Sequence, residues 1–150
     1  VLDPLRLFAH LHGHMGWLAA AVLIHPAIVL KRRAKADFAV GLALAFATLA
    51  AGMGALLYPA YREKIKQGIF IADPRVGLLF ERKEHLAFGV VALVWVGAIT
   101  YVVARGPALN ENPSVRDSLR RASHVAFVAA AALCVVVAAL GTVVATFKGF

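Results

Sequence analysis

Residues 85–104 read HLAFGVVALVWVGAITYVVA, twenty positions without an Asp, Glu, Lys or Arg. As a helix rising 1.5 Å per residue, such a run is about 30 Å long, the thickness of a bilayer's hydrocarbon core. The period-two alternation that a barrel strand requires is missing. Arg105-Gly106-Pro107 follows at once, placing a cation and two helix-stopping residues where a span should end. Three further runs share the absence of charge: Leu7–Leu30, Phe38–Tyr61 and Ala122–Phe147. The 150-residue chain is 61% hydrophobic, and its mean hydropathy is +0.78. A soluble domain is closer to half apolar. The pattern predicts an all-α, integral membrane four-helix bundle, a single domain over residues 1–150 with both termini on one side of the bilayer. That side is face X below, and the other is face Y.

The first run is too long for a signal-peptide core, and its histidines and Pro26 interrupt any clean apolar block. It is read as the first span. The chain opens at Val1 rather than Met, which leads us to expect a segment upstream. The single cysteine, Cys134, rules out an internal disulfide and reads as a small buried apolar residue. Asp73-Pro74 suits an N-cap and first helical position, so the third helix is expected to begin there, outside the bilayer. Ser114-Val-Arg-Asp117 reads as a capping box for the fourth. Between them, Lys64-Ile-Lys-Gln-Gly-Ile-Phe-Ile71 mixes bases with large apolar residues and suits the headgroup layer. The second helix repeats Ala43, Ala47, Ala51 and Ala55, a stripe of small residues that lets a neighbouring helix approach closely.

The formal net charge is +8. Lys and Arg number eight on each face, so the positive-inside tally is tied. The short, dense Lys31-Arg32-Arg33-Ala34-Lys35 turn and the greater number of acids at X favour Y, with residues 31–37 and 105–117, as the cytoplasmic side. These bases are membrane flanks; no basic stripe with interleaved aromatics suggests nucleic acid. A bacterial inner membrane is the expected location.

Five of the six histidines lie in or at the lip of the apolar runs: His10, His14, His25, His85 and His124. A metal-capable ring in hydrocarbon is costly and marks a candidate site. On a helical wheel His14, Leu18, Ala21 and His25 share a face with His10 nearby, while His12 points away and is left out. The topology places His10, His14 and His85 toward X, and His25 and His124 toward Y. Two cross-helix pairs are therefore expected, His14 (or His10) with His85 and His25 with His124. His14 and His25 are about 16 Å apart along the helix axis. Bis-histidine ligation of haem iron requires two such rings from separate helices. Gly13, Gly16 and Gly89 leave room beside the ligands, and Arg6, Arg82, Lys83, Arg120 and Arg121 could hold propionates.

The segments HLAFGVVALVWVGAITYVVARGP, from His85, and ASHVAFVAAAALCVVVAALG, around His124, resemble the four-helix membrane b-type cytochromes that exchange electrons with quinol. The resemblance covers about half the chain. It implies non-covalent haem b, two haems per bundle, and quinone chemistry near one face, with His85 and His124 matching ligand positions. In many such cytochromes the second helix supplies a ligand, but here it offers only Ala and Gly among its small residues. No Cys-x-x-Cys-His motif is present for covalent haem attachment.

Two other readings come from the same residues. His10 and His14 are one turn apart, as are Glu81 and His85, a donor set for a single non-haem metal ion. Alternatively the bundle is a cofactor-free accessory subunit of a larger membrane complex, its small-residue faces docking on partner subunits. No Gly-rich phosphate loop and no nucleophile–base spacing points to soluble-type catalysis.

Overall fold

A computed structural model describes residues 4–147; Lys148, counted above with face X, lies outside them. α1 spans Pro4–Lys31, α2 Asp37–Tyr61, α3 Gln67–Ala72, α4 Pro74–Val103 and α5 Pro113–Phe147. A π-helical turn, Arg62–Lys66, joins α2 to α3, and a 3-10 turn, Pro107–Leu109, lies between α4 and α5. Four of the helical segments are long and apolar enough to cross a membrane, with α2 and α3 running as one. α1 packs on α2 and α5, and α4 packs on α5 and α2, so α1 and α4 stand diagonally in an up-down-up-down bundle. α1 and α5 run antiparallel: Arg120 Nη2 donates to the Arg33 carbonyl at one end, and Trp17 Nε1 donates to Thr142 Oγ1 at 3.1 Å nearer the other.

The expected spans hold, and their ends follow from local chemistry. Asp73 caps α4 by accepting the Arg75 N–H at 2.9 Å, with Pro74 as first helical residue. The fourth membrane helix differs from expectation. It begins at Pro113, one residue before Ser114, whose carbonyl accepts the Ser118 hydroxyl at 2.9 Å. Proline is preorganised for the first helical position, and it displaces the expected capping box. The Lys64–Ile71 stretch is helical. Ile69 and Tyr61 join Val76, Phe80 and Val144 in a small second core, and Lys66 Nζ pairs with Glu81 at 2.8 Å.

The main core is built from small residues: Ala19, Ala20, Ala43, Ala47, Ala98 and Ala130, with Leu23, Val94 and Phe127 between them. Large apolar side chains face outward, Phe88 and Phe38 each 76% exposed. In lipid the outside is as apolar as the inside, so close packing decides which face turns in. Successive positions four apart drift about 40° around a helix. The α2 stripe therefore starts buried at Ala43 and Ala47 and has rotated to the surface by Ala55. Gly97 marks a close α4–α5 approach: a Cβ there would sit 2.9 Å from Phe127 Cε2. The buried Ser123 hydroxyl donates to the Gly97 carbonyl at 2.8 Å across that contact.

Candidate functional site

The inward stripe of α1 is Ala19, Ala20, Leu23, Pro26 and Leu30. His14 and His25 lie roughly opposite Leu23 at 100° per residue, and His10 is close to them. All three are exposed. His12, left out above, falls about 20° from Leu23 and turns inward. Its Cε1 would lie 3.1 Å from a Cβ on Gly54 of α2. The shared face was read correctly but given the wrong side. The signal that places His12 inward is its spacing from Ala19 and Leu23, seven and eleven residues on.

On α4 the inward positions include Val90, Val94 and Tyr101, and His85 lies roughly opposite them, exposed. His14 and His85 therefore occupy outer surfaces of two diagonal helices and are not brought together in the bundle interior. Both rings are held alike. His14 Nδ1 is 2.8 Å from the His10 carbonyl, and His85 Nδ1 is 2.8 Å from the Glu81 carbonyl. A carbonyl only accepts, so each Nδ1 carries a hydrogen, and in the neutral form of such a ring the lone pair is on Nε2. That arrangement, with the second nitrogen bonded to a carbonyl, fixes the tautomer of a metal-ligating imidazole.

The Glu81–His85 spacing thus yields a ring-to-backbone bond, while the Glu81 carboxylate is engaged by Lys66. Among the described residues, no three or more His, Cys, Asp or Glu side chains are grouped to hold a metal ion. The donor set His10, His14, Glu81 and His85 does not converge.

His25 and His124 are also separated in environment. His25 is exposed beside the buried Pro26. His124 lines a cavity of about 140 Å³ at face Y, between the end of α1 and the first turns of α5. Drug-sized ligand sites begin near 300 Å³, so this cavity does not suit a macrocycle. The His124 Nδ1 is buried without a hydrogen-bond partner. Cys134 is buried, its Sγ 3.9 Å from the Gly16 carbonyl.

The fold defines the class: an integral membrane four-helix bundle. Comparison with family models, curated proteins and solved structures finds no match to this chain.

Proposed function

We propose that this chain is an electron-transfer subunit of a bacterial inner-membrane assembly, carrying haem b at its outer surface, with residues 31–37 and 105–117 on the cytoplasmic side. The supporting observation is the matched pair of outward imidazoles, His14 and His85, each with Nδ1–H bonded to the carbonyl one turn back and Nε2 free to ligate. The rings sit on different outer faces, so each would share iron with a ligand from a neighbouring subunit. Such a haem supplies one-electron chemistry, with quinone or a partner redox protein as the exchange partner. Polar rings facing lipid need a partner of some kind, and a ligated iron meets that need.

A second reading is favoured by a different observation. The core is filled by closely packed Ala, Val and Phe127, so the outward histidines also suit hydrogen bonds to partner helices in a cofactor-free accessory subunit. A pyridine haemochrome assay with metal analysis, on the full chain purified in mild detergent with whatever subunits accompany it, separates the two. Haem that is lost in His14→Ala or His85→Ala and kept in His25→Ala supports the first reading. A colourless, iron-free preparation overturns it in favour of the second.

A further inference from the structure

The cavity at face Y is independent of the haem reading and has its own chemistry. Lys31, Arg33, Arg120 and Arg121 line it together with His124. The only acid among its lining residues is Asp117, which already pairs with Arg33 Nη1 at 3.9 Å. Four cations against one engaged carboxylate leave a strong positive field in a concave, partly desolvated site. Its depth is defined by the chain. Leu30 is the last residue of the first charge-free run, and His124 is the third of the last. The cavity therefore straddles the level at which hydrocarbon gives way to headgroups.

Part of the wall is held in a costly conformation. α1 ends with the Arg33 N–H donating to the Leu30 carbonyl at 3.0 Å and the Ala34 N–H to the Val29 carbonyl at 3.3 Å. These two bonds form a Schellman motif, whose left-handed residue is usually Gly. Here it is Arg33, with φ of 54°. Its carbonyl accepts from Arg120 Nη2 at 2.9 Å, tying the turn to α5. Arg33 and Arg120 thus brace the site, while the exposed Lys31 and Arg121 supply charge beside the unpartnered, buried His124 Nδ1.

We infer that this cavity binds a phosphate group, with Lys31 and Arg121 as its charge partners and His124 as a hydrogen-bonding wall. At about 140 Å³ it is sized for a headgroup phosphate rather than a larger organic ligand. Basic pockets between membrane helices recognise lipid phosphates in this way. The same chemistry serves an anionic phospholipid or a soluble phosphate.

The test uses the full chain in nanodiscs of phosphatidylcholine. One arm titrates phosphatidylglycerol and reads retained lipid by native mass spectrometry. The other titrates inorganic phosphate and reads the shift in thermal unfolding. Lys31→Gln with Arg121→Gln is expected to weaken binding by roughly fivefold per charge removed, about 25-fold together. Arg75→Gln with Arg82→Gln, at the opposite face, is expected to leave it unchanged. A Lys31/Arg121-dependent response in the first arm assigns a lipid phosphate, and in the second a soluble one. Circular dichroism checks that the double variant is folded; should it not be, His124→Phe, which fills the cavity, replaces it with the same expected loss. Binding in neither arm, or binding indifferent to these substitutions, overturns the inference.

Discussion

Tyr101→Phe removes one oxygen atom, and its cost can be worked from the contacts that atom makes. The Tyr101 hydroxyl accepts the Ala36 N–H at 2.8 Å, reaching from the end of α4 to the turn between α1 and α2. Ala36 is 1% exposed and Tyr101 3%, so water has little access to the released donor. A buried donor left unsatisfied costs about 1–3 kcal/mol, whereas an exchangeable surface bond would cost almost nothing. The ring itself stays, with Arg105 at 5.6 Å over its face and paired to Asp37 at the start of α2. The expected loss is therefore confined to the hydrogen bond, about 1–3 kcal/mol. Reversible unfolding in mixed micelles by titrated sodium dodecyl sulfate, followed by circular dichroism, measures it. A Tyr101→Phe protein within about 0.5 kcal/mol of the parent would refute the reasoning, because a pair that buried cannot be lost silently.

Two more outcomes follow from backbone positions. Gly97→Ala places a methyl 2.9 Å from Phe127 and 3.4 Å from Ala126; overpacking of about 1–3 kcal/mol should outweigh a helix-propensity gain of about 1 kcal/mol, while Gly52→Ala, which meets nothing within 4 Å, shows the gain alone. The same unfolding titration compares them, and equal stability of the two variants would contradict the close α4–α5 contact. Arg33→Gly relieves the left-handed conformation and should stabilise the fold by about 1 kcal/mol, since its exposed pair with Asp117 contributes little. A clear destabilisation of Arg33→Gly in that assay would mean the Asp117 contact outweighs the backbone strain.

The spans and most helix ends were legible because their causes are local: twenty or more uncharged positions, Asp73-Pro74 at one end of α4 and Gly106-Pro107 past the other. Which face of each helix turns inward was not legible from hydrophobicity. Leu18, Ile24 and Phe88 face out while Ala19, Ala20 and Gly97 face in, a reversal of the soluble pattern. Reading the histidine face of α1 as inward carried over the soluble habit of burying the chemically interesting side. The Ala stripe on α2 held the needed clue, and the same criterion applied to α1 selects Ala19, Ala20 and His12. Arg33 escaped notice because an Arg at a left-handed helix terminus has no signature in sequence, where Gly would have announced it.

Both ends of the bundle are tied across helices, and the ties at face Y bear on the cavity there. At face Y the turns are tied across helices: Ala36 to Tyr101, Arg105 to Asp37, Arg120 to the Arg33 carbonyl, and Ser123 to Gly97 slightly deeper. Toward face X, Lys66 pairs with Glu81, Tyr61 packs edge-on against Phe80, and Trp17 donates to Thr142 from nearer mid-span. Face Y carries a cavity whose like charges would repel one another unless the frame holds them, which is what a preorganised anion site requires. The exposed imidazoles His14 and His85 differ from it, because side chains on an outer helix face take their geometry from whatever packs against them. A cavity whose walls are already held in place loses little freedom when a ligand enters, whereas a surface imidazole must be ordered by the group it meets, so the cavity is the site that needs least rearrangement.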